Sequence, residues 1–176
     1  IENQSFSSHY VVSFQYKLPS TTVRLESYLK QYSHLPLFED NKITLNGKGK
    51  SYGVDFFLED SSISDNLTTT LSYSYNHTRR RYLEYVDDVQ PQYATAHNLA
   101  VSLKYNIPQI KCILGLSENI ASGRPYTNPA EVGKLQYLTK PYFSTGINVS
   151  YLASPSVIIY ASVTNLFDRH NVFNYN

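Results

Sequence analysis

A chain of 176 residues with 15 basic and 14 acidic side chains, a net charge of +1 and 41% hydrophobic residues has the size of one ordinary domain, and its charge gives no basis for binding nucleic acid. Its single cysteine, Cys112, sits among Ile110, Leu114 and Leu116; this excludes an internal disulfide and reads as a small hydrophobe. No run of about 18 apolar residues occurs, which excludes a transmembrane helix but not membrane strands, whose individual apolarity is lower.

The chain opens on Ile1-Glu2-Asn3-Gln4, which reads as a loop with neither an initiating Met nor a signal peptide, as expected for a piece of something longer. Beyond it, apolar and small polar residues alternate with a period of two. That rhythm predicts eight strands, at about 8–18, 22–33, 50–59, 66–77, 96–107, 110–121, 142–152 and 157–167. Strand 142–152 is typical: Phe143, Thr145, Ile147, Val149 and Tyr151 fall on one face, and Ser144, Gly146, Asn148 and Ser150 on the other.

The connections alternate in length. Short ones rich in Pro, Ser, Asn and Asp are expected at 18–21, 60–65, 106–109 and 152–156, and long ones at 35–49, 78–95 and 122–141. Tight turns at one rim and extended loops at the other describe an antiparallel up-and-down meander, the asymmetry of outer-membrane barrels.

With 17 Tyr, 8 Phe and no Trp, the aromatic content is unusual, and Tyr suits a membrane–water boundary because its ring is apolar and its tip polar. Tyr16, Tyr105 and Tyr151 fall on the apolar parity next to short turns, while Tyr10, Tyr52 and Tyr75 fall on it next to the long-loop rim. Tyr10 and Tyr16 are separated by roughly 20 Å at about 3.3 Å per residue, against an apolar band of about 25 Å between aromatic girdles. The opposite parity carries Arg24, Glu26, Lys30, Asp55 and Glu59, charges that a dry core would not accept without partners but a hydrated interior would. Glu118 is the exception: it falls on the apolar parity, so either its strand has left the lipid there or a bulge shifts the register.

Several segments together resemble TonB-dependent outer-membrane receptors. Ala121-Ser122-Gly123-Arg124-Pro125-Tyr126-Thr127 looks like a motif at the start of one of their long loops, and Val163-Thr164-Asn165-Leu166-Phe167-Asp168-Arg169 with Asn171-Val172-Phe173 looks like their penultimate strand. Residues 24–32, Gly53-Val54-Asp55-Phe56-Phe57, and Ser72-Tyr73-Ser74-Tyr75-Asn76 before Arg79-Arg80-Arg81 match further recurring stretches, so the resemblance covers essentially the whole chain in order. It implies an all-β fold: residues 1–176 as the C-terminal part of a 22-stranded transmembrane barrel, with about eight strands covered and the plug and final strand not covered. Eight of 22 strands would leave two unpaired edges in lipid, so the residues are expected to be an excerpt of a larger chain.

The resemblance also implies a function, an address and partners. The function is uptake of a scarce ligand (a siderophore, another metal chelate, a glycan or a peptide) across a Gram-negative outer membrane. The partners are outer-membrane lipid, TonB acting through an N-terminal region outside these residues, the transported ligand and a surface lipoprotein. Two other readings stay open on the residues alone: a small outer-membrane barrel acting as an adhesin or phospholipase, and a soluble all-β binding module with a second sheet over the apolar faces.

No chemistry stands out for catalysis, a cofactor or a metal. His9, His34, His77, His97 and His170 lack ligand spacing, and no nucleophile-elbow pattern occurs. Candidate ligand contacts are the loop residues Arg79, Arg80, Arg81, Tyr82, Tyr85, Tyr93, Arg124, Tyr126 and Tyr137, which bring guanidinium donors and stacking rings to one rim. Gly123, Arg124 and Pro125 also suit a purely structural role in shaping the exit of the chain from its strand.

Overall fold

The computed structural model describes residues 4–128, 130 and 135–175, so Ile1-Glu2-Asn3 of the expected leading loop and part of the expected 122–141 connection lie outside the described residues. Eight strands pair in chain order into one antiparallel meander. They are β1 (Phe6–Lys17), β2 (Thr21–Glu39), β3 (Lys42–Ser64), β4 (Leu67–Tyr82), β6 (His97–Ile107), β7 (Cys112–Ala121), β10 (Tyr142–Ser154) and β11 (Val157–Val163). A short β5 (Tyr85–Val89) adds to the end of β4, and β8 (Pro125–Tyr126) pairs with β9 (Tyr137–Leu138) as a separate two-stranded hairpin.

The alternation reads through into three dimensions because the register is regular. Leu99, Val101, Leu103 and Tyr105 stand opposite Tyr73, Leu71, Thr69 and Leu67 on one side and Ile120, Glu118, Leu116 and Leu114 on the other. One face of the sheet is therefore apolar across these rungs apart from Thr69 and Glu118. Within this chain no second layer covers it: among the described residues the buried hydrophobics are Leu37, Ala94 and Leu135, while Val12 is 73% and Ile158 68% exposed. That contradicts a sandwich built from these residues, which would inter-digitate two apolar faces.

Besides β3 running through the expected 60–65 connection as far as Ser64 and β4 into the expected 78–95 connection as far as Tyr82, three expected boundaries are corrected. The long connection at 35–49 is instead the upper part of the β2–β3 hairpin, closed by Asp40 and Asn41, both at positive φ (52° and 57°), as a two-residue turn of primed type requires. Register shifts at Ser33/Leu35 and Leu35/Leu37, with His34 at positive φ and Pro36 between them, break the alternation there and hide the strand from a periodicity argument. The tip leans over its neighbour: Phe38 N–H donates to Leu83 O and Leu83 N–H to Pro36 O, each at 2.7 Å, and Leu37 is fully buried.

In the second correction, Ile110 and Lys111 leave the predicted strand, because Pro108 opens a single 3-10 turn that ends with Lys111 at φ 54°. In the third, the last strand stops at Val163 rather than 167, since Asn165 and Asp168 adopt positive φ. The following segment still runs along β10: Leu166 N–H donates to Thr145 O at 2.8 Å, and the Asn171 amide both accepts from Phe143 N–H (3.1 Å) and donates to Phe143 O (2.8 Å).

The tyrosines give the sheet a slope. The rung through Tyr16 continues through Val23, Leu58, Leu71, Val101, Glu118 and Thr145. Tyr105 lies four residues beyond Val101, four strands on, and Tyr151 six residues beyond Thr145, six strands on. A line of tyrosines that steps one residue per strand, at about 3.3 Å along and about 4.8 Å across, makes an angle of about 35° with the rungs. That is the strand tilt of a closed barrel. The tilt also shortens the roughly 20 Å between Tyr10 and Tyr16 to about 16 Å along the perpendicular to that line.

Glu118 is resolved by the same slope. The register through β7 is unbroken on both sides, so no bulge is present, and the lower tyrosine line passes five residues below Glu118. The line through Tyr10, six residues higher, passes one residue above it. Glu118 therefore stands beside the upper tyrosine line, where its carboxylate accepts a hydrogen bond from the Thr145 hydroxyl on the facing strand.

Candidate functional site: the inner face of the upper rim

The opposite face of the sheet is polar from bottom to top. Its lower rows on β1–β4 are charged: Arg24 lies 5.4 Å over the Phe57 ring, Glu26 stands opposite Asp55, and Asp55 accepts from Ser74. On β6, β7 and β10 the row of Arg24 and Phe57 continues through Ala100, Asn119 and Ser144, and the row of Glu59 below it through Ser102, Ser117 and Gly146, which leave a smooth wall.

Above those rows the structure brings together residues from three strands and a loop. Tyr32, Gly49 and Arg80 share one rung of β2, β3 and β4. A Cβ on Gly49 would meet Arg80 Cγ at 2.8 Å, so the glycine lets the guanidinium cross to within 4.5 Å of the Tyr32 ring. Lys30, one row lower, lies 4.9 Å over the Tyr28 ring. Tyr93, 60% exposed, closes the outer side, and together these residues line a concavity of about 290 Å³. Arg80 Nε is buried there without an acceptor. Just above, the Tyr82 and Tyr85 rings are 5.8 Å apart, and burial, followed by the nearby Tyr93 and Tyr85 hydroxyls, pushes the Tyr82 phenol up.

A second concavity of about 420 Å³ adjoins the first, sharing Ser74, Thr95 and Asn98. Its rim is built by the chain leaving β7. A Cβ on Gly123 would meet Thr139 O at 2.0 Å, so only glycine allows the backbone to pass there, and Arg124 and Thr139 then exchange hydrogen bonds at 2.9 Å. Arg124 lies 4.9 Å over Phe173, whose ring is 5.7 Å from Tyr142, and Tyr126 contacts Tyr137 and Tyr175 at 5.9 and 4.8 Å. Four cations, Lys30, Arg80, Arg124 and Lys140, line the two concavities, and no carboxylate among the described residues does.

The nine sequence candidates thus divide. Arg79, Arg80, Arg81 and Tyr82 lie on β4 and Tyr85 on β5, not in a loop, because β4 runs on to Tyr82 in register with the extended β3. Alternation sends Arg80 and Tyr82 to the polar face and Arg79 and Arg81 to the other. Tyr93, Arg124, Tyr126 and Tyr137 stay at the rim. Tyr28, Lys30, Tyr32, Tyr142 and Phe173 were missed; the first three share the parity of Glu26, a signal already present in strand 22–33.

No family model and no curated relative matches the sequence. Solved structures do. The ferric yersiniabactin uptake receptor FyuA from Yersinia pestis matches with a TM-score of 0.75 over 94% of this chain at 15% identity. The FrpB iron transporter from Neisseria meningitidis gives 0.76 over 96% at 13%, and the ferric-catecholate import receptor Fiu from Escherichia coli K12 gives 0.77 over 98% at 13%. The chain has the fold of the barrel wall of TonB-dependent outer-membrane receptors. The chain spans about a quarter of the length of these receptors, with 25%, 28% and 25% of each covered. In a receptor-barrel wall the apolar face meets hydrocarbon and the polar face lines the lumen; in this chain the two concavities lie on the polar face, at the upper rim.

Proposed function

We propose that this chain is a wall segment of an outer-membrane receptor that takes up a scarce anionic ligand, a metal chelate, driven by TonB through parts of the protein outside these residues. Tyr10, Tyr52 and Tyr75 would mark the outer boundary of the hydrocarbon and Tyr16, Tyr105 and Tyr151 the inner one, with lipid against the face between them. The observation that carries the choice of ligand is the pairing of Lys30, Arg80 and Arg124 with aromatic faces, with Lys140 beside them, in concavities that no carboxylate among the described residues lines. Guanidinium forks and exposed rings suit a chelate carrying carboxylate or catecholate oxygens on an organic frame. A neutral glycan would have little use for four cations.

The test uses the full-length protein in cells grown on a panel of ferric chelates. Uptake of one anionic chelate should require TonB and fall about tenfold in an Arg80→Gln/Tyr32→Leu variant, the equivalent of one charge-assisted contact. Arg79→Gln, on the other face, should leave it unchanged. Uptake that is independent of TonB, or equally sensitive to Arg79 and Arg80, contradicts the proposal.

A further inference from the structure

The floor of the smaller concavity holds two donors with nothing to donate to. Lys30, Ser51 and Thr78 share one rung of β2, β3 and β4, and Ser51 and Thr78 are buried, 6% and 5% exposed. Ser51 donates to Asn76 Oδ1 at 2.9 Å. The Thr78 hydroxyl has no partner, and neither has Arg80 Nε, two residues further along the same face. A buried polar group left unpaired is costly and uncommon. A hydroxyl can turn either way, but with Arg80 and Lys30 beside it the group that would answer all three is an acceptor. The chain supplies none, since no carboxylate among the described residues lines this concavity.

What covers these donors is small. Ala94, 6% exposed, lines the concavity with them and belongs to a turn closed on itself. Ala94 N–H donates to Pro91 O at 2.9 Å, and Gln90 Nε2 to Ala94 O at 3.0 Å. The end of the turn is tied to the wall by Asn76 N–H donating to Ala96 O at 2.8 Å and by Ala96 N–H donating to Ser122 Oγ at 2.9 Å. Giving up those two bonds lets the turn swing as one piece and uncovers the floor.

The donors define the acceptor. A hydroxyl, a guanidinium Nε and an ammonium group around a floor of this size suit the two oxygens of one carboxylate, which together accept about four hydrogen bonds. The oxygens of a metal-bound catecholate are engaged by the metal and fixed to a ring, so they do not fit beneath the turn.

We propose that Thr78, Arg80 and Lys30 form a carboxylate subsite under the Pro91–Ala94 turn, and that the chelate taken up carries a free carboxylate outside the coordination shell of its metal. The inference deepens the chelate-uptake reading above and rests on it.

The experiment measures binding to the full-length protein in detergent by calorimetry, with ferric citrate as the probe and a ferric tris-catecholate as comparator. Wild-type protein should bind ferric citrate about tenfold tighter than the tris-catecholate. Thr78→Val, which exchanges the hydroxyl for a methyl group of similar shape, should weaken ferric citrate about tenfold, the equivalent of one hydrogen bond to a charged group. It should leave thermal unfolding without chelate unchanged, which a purely structural role for the hydroxyl would not, and Thr78→Ser should keep the wild-type affinity. Ferric citrate should also speed amide exchange at Asn76 and Ala96 as the turn lifts, whereas a ligand resting on the closed rim would slow it or leave it alone. Tighter binding of the tris-catecholate, wild-type affinity in Thr78→Val, or exchange that does not speed up each overturns the subsite while TonB-driven uptake of an anionic chelate still stands. Chelate uptake that needs no TonB would instead defeat the receptor reading, and the subsite with it.

Discussion

The two halves of this wall share one apolar face and differ in almost everything else. From β2 to β4 the strands are long, with 19 residues in β2, 23 in β3 and 16 in β4, and this half carries charge on the polar face and cations on both faces of the upper rim. From β6 to β11 they are short, with 11 residues in β6 and 10 in β7; the lumen side is small and smooth, and the aromatic rim is assembled from loop and tail around Gly123 and Asn171. What is common to both is the period of two, which between the two tyrosine lines keeps one parity mainly apolar and the other polar. What differs is how each half presents side chains above the upper line. The first half extends its hydrogen-bonded ladder, so that parity alone sorts Arg80 from Arg79; the second bends the backbone and holds it by individual contacts.

The largest effect should be indifferent to which half is changed. Val12→Arg and Leu103→Arg place a cation in mid-band on the lipid side, and each should cost about 2–4 kcal/mol in unfolding of the full-length protein from vesicles. Their lumen-side neighbours, Ser13→Arg and Ser102→Arg, should cost far less.

The next effect separates the halves. Gly123→Ala forces a Cβ against Thr139 O and should cost about 1–3 kcal/mol locally, read as faster proteolysis between Ser122 and Pro141. Gly49→Ala meets only the flexible Arg80 side chain, so it should leave proteolysis unchanged and disturb the Tyr32–Arg80 stack instead.

The smallest is at the boundary. Thr145→Val removes the donor to Glu118 and should destabilise by about 1 kcal/mol. Glu118→Gln made in the same protein should recover most of that loss, because it removes the unpartnered charge.

Much of this fold could be read from the residues because β-sheet parity is a property of the sequence itself. The strands around Val101, Ile147 and Leu71 alternate without interruption, and their faces came out as expected. The upper half of the β2–β3 hairpin did not, because two bulges flanking Leu35 and a proline at Pro36 change the parity twice within five residues. Its turn, Asp40-Asn41, lacks the glycine that marks such hairpins most clearly. The site was harder to read. Arg79-Arg80-Arg81 is a conspicuous run, yet a run cannot show that alternate members face lipid and lumen until its strand is known to continue. Tyr32 and Arg80 meet only because Gly49, on a third strand, lets them. The rim around Arg124 depends on backbone passing within reach of Thr139 and on a tail returning to Phe143, neither of which leaves a periodic trace.

The most direct test is a cysteine scan of positions 143–151 on β10 in the full-length protein, with Cys112 replaced by Ser, reconstituted in vesicles and labelled with an environment-sensitive fluorophore. Labels at 145, 147, 149 and 151 should be quenched by a lipid-dissolved quencher, and those at 144, 146, 148 and 150 by an aqueous one. Quenching that fails to alternate, or that alternates with the opposite phase, would contradict the assignment of the apolar face to lipid.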